Sequence, residues 1–139
     1  QGVWMGGSAF LTSAEYDLGV RLESGRSVVQ EAMLKATSAD TVRRRIYTGK
    51  PARLLKSRWT EAWDADDAPE PLPMPLQNIL VSEAHQRMSE STDPTTVAMP
   101  VGQIVGRMNE IRPPVADIIA ELVSGFEDAT RRLDTIRDS

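Results

Sequence analysis

Gly6-Gly7-Ser8 follows the apolar run Val3-Trp4-Met5, and this is the first arrangement along the chain with a chemical use. Holding a phosphate takes several backbone N–H groups aimed at one point and a main chain that can approach closely. Glycine permits both because it carries no Cβ. A helix beginning just beyond adds a favourable dipole. Thr12-Ser13-Ala14-Glu15 has the spacing of a capping box and predicts such a helix, from Ser13 to about Leu22. The same residues also suit an ordinary tight turn after a strand, and spacing alone leaves both readings open.

Other chemistry-bearing residues are sparse. Arg43 to Arg58 holds seven basic residues and no acidic one, and Glu61 to Glu70 then holds five acidic residues. This could be an anion-binding face with Trp59 and Trp63 as stacking platforms, or a solvated basic face neutralised by the segment that follows. His85 is the one histidine, and its neighbours Ser82, Glu83 and Gln86 supply no metal-ligand spacing. It reads as a structural or solvent-facing residue, and no catalytic triad can be built on it. Cysteine is absent, which removes disulfides, thiolate nucleophiles and Cys-type zinc sites and fits a reducing, cytoplasmic setting.

The elements that must position these groups follow from periodicity. Val3–Met5 reads as a buried strand. Ser27-Val28-Val29-Gln30 is a second capping box, opening a helix through Ala36 with Val28, Val29, Ala32, Met33 and Ala36 at helical spacing. Residues 41–47 read as extended, ending at Gly49. Pro51 suits a first helical position, with Leu54, Leu55, Trp59 and Trp63 sharing a face. Residues 65–75 carry four of the nine prolines and form an extended connector. A helix from Leu76 to Met88 places Leu76, Ile79, Leu80, Ala84 and Met88 on one side. Residues 98–111 combine apolar side chains with Gly102 and Gly106 and predict close packing. After Pro113-Pro114, Val115, Ile118, Ile119, Leu122, Val123, Phe126, Leu133 and Ile136 make the apolar stripe of a last helix, with Glu127–Arg131 and Asp128–Arg132 as i,i+4 pairs on its wet side. That stripe is too short for a coiled coil and suits docking on its own protein. The chain divides into 1–64, the connector 65–75, and 76–139.

At 139 residues, 40% hydrophobic and net charge −4, the chain has the size of one domain and the balance of neither a disordered segment nor a general nucleic-acid binder. No apolar run spans a membrane, and no signal peptide is visible. The chain starts on Gln1 rather than Met, and a lone strand buried on both faces needs neighbours. The Gln1 start fits either processing or a piece of a longer protein, and the lone strand favours the second. The alternative is a stand-alone helical binding module that uses the basic face or the last helix.

Four stretches, QGVWMGGSAFLTSAEY (1–16), SADTVRRRIYTGKPARLLKSRWTEAWD (38–64), PLPMPLQ (71–77) and AMPVGQIVGRMNEIRP (98–113), resemble in order and spacing the C-terminal part of the nitronate monooxygenase family, the former 2-nitropropane dioxygenases. The resemblance is closest to actinobacterial-looking members. It implies an α/β fold, the C-terminal portion of a (β/α)8 TIM barrel, mostly helical here with one closing barrel strand at Val3–Met5. It implies FMN, with the phosphate held by the turn at Met5, Gly6, Gly7 and Ser8; barrel phosphate sites gather after the last strands. The stretch is one residue longer than the family's before Phe10, so Gly7 or Ser8 stands at its Thr/Ser position. Gly102 and Gln103 match a loop on the flavin and substrate side. The implied activity is oxidation of alkyl nitronates with O2, and the same family includes flavin reductases of enoyl groups and enzymes of CoA thioesters. The family's catalytic histidine lies upstream of this chain, and His85 does not match it. The implied partners are the N-terminal barrel portion, without which the chain is inactive, a small-molecule substrate, and in some members a second copy.

Overall fold

The computed structural model describes residues 7–17 and 19–137. The expected strand Val3–Met5, and with it Met5 and Gly6, lies outside the described residues.

At the centre lies an antiparallel pair, β1 (Thr41–Arg44) and β2 (Ala52–Leu55), with Thr41 opposite Leu55 and Arg44 opposite Ala52. The extended reading of 41–47 is met over its first four residues. The helix expected from Pro51 is not formed; a strand takes its place. The reason is tertiary. β2 is bonded on its second edge by residues 99–101, where the Leu55 N–H donates to Met99 O and the Val101 N–H to Arg53 O, both at 3.0 Å. Two paired edges and the complete burial of Leu54 outweigh a local preference that is worth only a fraction of a kcal/mol per residue. Helix begins later, as α3 (Arg58–Trp63), where the Ser57 N–H donates to Thr60 Oγ1 at 2.9 Å.

The hairpin's tip is locked under the proline-rich connector. Gly49 turns the chain at φ +90°, a conformation that side chains disfavour. A Cβ there would lie 2.5 Å from Met74 N and 2.6 Å from Leu72 O. Beside it, the buried carboxamide of Gln77 bonds at both ends: Nε2 donates to Ile46 O at 3.0 Å, and Oε1 accepts from the Leu72 N–H at 2.9 Å. Gln77 belongs to α4 (Leu76–Ser89), the helix expected over 76–88. Its two bonds set the rotation of that helix, so Gln77 and Val81 face inward with half-buried Ala84 and Met88. Leu76, Ile79 and Leu80, expected on the packed side, are instead 52–65% exposed.

A helix packs over β2 and the segment beside it through the core. α2 (Val28–Lys35) forms the expected capping box in full, the Gln30 N–H donating to Ser27 Oγ and the Ser27 N–H to Gln30 Oε1, each at 3.1 Å. Val28, Val29 and Met33 meet Leu55, Val97, Val101 and Val105 in the core. The helix expected over 13–22 is absent. Helix occurs earlier, as the short α1 (Ser8–Leu11), because the next residues are claimed by distant ones. The Arg112 N–H donates to Thr12 O at 2.8 Å, the Ala14 N–H to Arg112 O at 2.9 Å, and Gln30 Nε2 to Ser13 O at 2.9 Å. Glu15 is a capping residue after all, but for another helix: its Oε2 accepts from the Val115 N–H at 2.8 Å, at the start of α5 (Val115–Arg137).

α5 is the expected last helix, yet Ile118 is its one buried residue among those described. Ile119, Leu122, Val123, Phe126, Leu133 and Ile136 are exposed, Phe126 to 71%. On its polar side Arg131 pairs with Asp128 rather than with Glu127.

The connector lock carries a stability prediction for the intact protein. Gly49→Ala should cost about 2 kcal/mol or more, from a clash with backbone that cannot yield. Gln77→Leu should cost about 1–3 kcal/mol for each of the two polar groups it strands. Urea midpoints report both changes, and a shift within error for either variant contradicts the lock.

Candidate functional site

The two stretches expected to face a ligand are both pinned from behind and open in front. Gly7 O accepts the N–H groups of Phe10 and Leu11, at 3.0 and 2.9 Å, which starts α1. The N–H groups of Ser8 and Ala9, in the first turn, then have no acceptor inside the helix. Gly7 is exposed, and a Cβ built on it meets nothing within 4 Å. Behind the turn, Thr12 and Ser13 are completely buried.

Gly102 caps a 3-10 turn, Gln103–Arg107, and both Gly102 and Gln103 are exposed. The buried side chains of Val101 and Val105 hold the turn on either side. The close packing expected of these glycines falls to Gly106 alone, where a Cβ would meet Thr37 Cα at 3.4 Å. Gly102 has ordinary room, with Ile104 Cγ1 at 3.7 Å from a Cβ. The two stretches are tied together from within: Thr12 Oγ1, just after α1, lies 3.9 Å from Met108 Sδ, just after the 3-10 turn.

His85 is structural. Its ring stacks on Tyr47 at 4.5 Å and meets the edge of Trp59 at 5.6 Å, and Trp59 packs edge-on to Trp63 at 5.7 Å. Trp59 thus joins an aromatic nest, and Trp63 packs at its edge. Burial pushes the His85 pKa below its ordinary value. Among the described residues no cluster of His, Cys, Asp and Glu is able to hold a metal ion, and no helix is long and apolar enough to cross a membrane.

Arg44, Arg45 and Arg53 of the basic stretch are used by the fold. Arg44 makes a bidentate pair with Asp64, at 2.7 and 2.9 Å, and this pair holds the Asp64 carboxyl below its usual range. Arg45 donates to Gly49 O and Arg53 to Thr41 Oγ1. Partial neutralisation by the acidic segment, one of the two readings, is thus real at Arg44. The long-range roles of Gln77 and Glu15 had no local signal: each polar side chain satisfies backbone far away in sequence, Ile46 in one case and Val115 in the other.

The model of the nitronate monooxygenase family matches residues 1–125. Rv1533 of Mycobacterium tuberculosis, named as a monooxygenase, is 39% identical over 139 residues, covering 96% of this chain and 35% of the relative. Among solved structures, FabK of Thermotoga maritima superposes with a TM-score of 0.62 at 24% identity, over 91% of this chain and 37% of that one. A point mutant of the same protein gives 0.59, with 91% and 35% covered. At that identity the likeness speaks for a shared α/β fold. The chain spans little more than a third of each of these proteins.

A pH prediction follows from the aromatic nest. With its folded pKa below the unfolded value of about 6.5, His85 binds fewer protons in the folded state. Its contribution to stability is then intact above that pH and declines as the pH falls through and below it. The intact protein should lose thermal stability between pH 7.5 and 5.5 by more than its His85→Phe variant does. Equal losses contradict the burial of a neutral imidazole.

Proposed function

Because this chain belongs to the nitronate monooxygenase family, we propose that it forms the C-terminal portion of an FMN-dependent oxidoreductase. Val3–Met5 supplies the closing strand of a (β/α)8 barrel, and the remaining barrel strands come from the preceding portion of the protein. The observation that carries the reading is the turn at Gly7, which lies within the family match and is open on its outer side.

At Gly7, the described glycine of this turn, there is room for a phosphate to approach. Main-chain N–H groups of Met5, Gly6, Gly7 and Ser8 hold it, and the open side of Gly7 allows the close approach. Bound FMN supplies the electron transfer from substrate, and the protein supplies binding and orientation. Gly102 and Gln103 face the substrate side. The Gln103 carboxamide both donates and accepts, which suits an oxygen-bearing group such as a nitronate. Proton transfer falls to a residue of the preceding portion, since His85 is enclosed by Tyr47 and Trp59. The exposed stripe of α5 docks on that portion; apolar area of this extent gains by leaving water. The substrate is an alkyl nitronate oxidised with O2. Enoyl groups and CoA thioesters are the competing substrates, because fold does not decide substrate.

Purified intact protein should carry the yellow flavin absorbance and turn over a nitronate aerobically. Enoyl or CoA-thioester turnover with NAD(P)H, and none with nitronate, would replace the substrate while leaving the flavin. Gly7→Val should weaken FMN retention without lowering the melting temperature of the apoprotein, since the new side chain enters open space. Retention equal to wild type contradicts the phosphate assignment. Phe126→Asp should lower the melting temperature of the intact protein by several degrees, whereas no change would mark the stripe as a solvent face.

A further inference from the structure

Lys56 and Arg58 are the members of the basic stretch that lie beside a cavity. Among the described residues the Lys56 ammonium makes no close ion pair or side-chain hydrogen bond, though its charge acts on the nearby Asp40 carboxylate, while the Lys56 N–H donates to Asp40 O at 2.8 Å. Arg58 reaches Asp93 only at 3.6 Å. Together with Lys35 at the C-terminal end of α2, they rim a cavity of about 540 Å³ with Ala36, Leu55 and Val97 among its apolar lining. That volume is in the range of small-molecule sites. Ser57 also lines it and is 6% exposed; its Oγ faces the Thr60 N–H in the cap of α3, and its hydroxyl proton has no acceptor among the described residues. A buried hydroxyl whose proton has no acceptor in a lined cavity is a donor waiting for one.

The acidic residues around the cavity limit the charge of what it takes. Asp40 Oδ2 is already committed, accepting from the Thr37 N–H at 2.8 Å and from Thr37 Oγ1 at 2.7 Å. Glu61 is exposed and makes no ion pair, so a polyanion would meet repulsion at the rim. One acidic headgroup can settle between Lys56 and Ser57 while an apolar body covers Leu55 and Val97.

We propose that this cavity binds a small amphipathic molecule with a single acidic headgroup, a carboxylate or a phosphate monoester, held by the Lys56 ammonium and the Ser57 hydroxyl. This stands apart from the flavin reading and does not need it. The test is isothermal titration of the intact protein with octanoate, with octyl phosphate and with inorganic phosphate. At least one of the two amphiphiles should bind saturably in the micromolar to low-millimolar range, and more tightly than inorganic phosphate. Which of the two binds better identifies the headgroup. Lys56→Ala should weaken that binding about tenfold, as expected for loss of a charge-assisted bond. Ser57→Ala should weaken it less, and Arg43→Ala, at an exposed position off the cavity, not at all. Lys56 is exposed, so its replacement leaves the fold intact, and an unchanged melting temperature checks this. No saturable binding of either amphiphile, binding no tighter than that of phosphate, or equal affinity in Lys56→Ala overturns the proposal.

Discussion

The carboxamide of Gln77, bonded at both ends inside the protein, is the contact on which the remaining geometry depends. Its Nε2 donates to the carbonyl of Ile46 in the turn after β1, and its Oε1 accepts from the N–H of Leu72 in the connector. A buried amide with either end free would cost on the order of a hydrogen bond's desolvation. The register between hairpin and connector therefore has little freedom to slip. With the hairpin fixed, β2 offers its second edge to residues 99–101, and those residues deliver Gly102 and Gln103 to the surface. A second glutamine works the same way. Gln30 completes the cap of α2 and also reaches Ser13 O, fastening the segment behind the Gly7 turn to the core.

Polar anchoring of this kind suits a body with a small apolar core. Val28, Val29, Met33, Leu55, Val97, Val101 and Val105 make one cluster, while the longest helix contributes a single buried residue. Leu76, Ile79 and Leu80 on α4, and Ile119 through Ile136 on α5, remain in water. Faces of this size on a monomeric domain mark places where other protein belongs. The open side of the Gly7 turn, the outward Gly102–Gln103 corner and the bare stripe of α5 are the features from which the proposed barrel is argued.

What the sequence made legible was local. Ser27 and Gln30 lie three residues apart, answer each other directly, and the helix they open is where periodicity put it. The last helix, from Val115, was equally plain. Thr12 and Glu15 have the same spacing and were misread, because Glu15 spends its carboxylate on Val115, one hundred residues on. Pro51 to Leu55 has helix-compatible residues but lies between two pairing partners, and no window of five residues can reveal that. The rotation of α4 was hidden for the same reason: Leu76, Ile79 and Leu80 look like the inner face until Ile46 and Leu72 claim Gln77. The candidate site itself was legible only through family resemblance. Gly6-Gly7-Ser8 and Gly102-Gln103 are too short and too common for spacing to separate a ligand loop from a turn.

The central claim is that main-chain amides at the start of α1 hold the flavin phosphate. Amide hydrogen exchange in the intact apoprotein, with and without added FMN, tests it at those atoms. The N–H groups of Gly7 and Ser8 should exchange many-fold more slowly once FMN is bound, while those of α4 stay as they were. Unchanged exchange at Gly7 and Ser8 in protein saturated with FMN would contradict the claim.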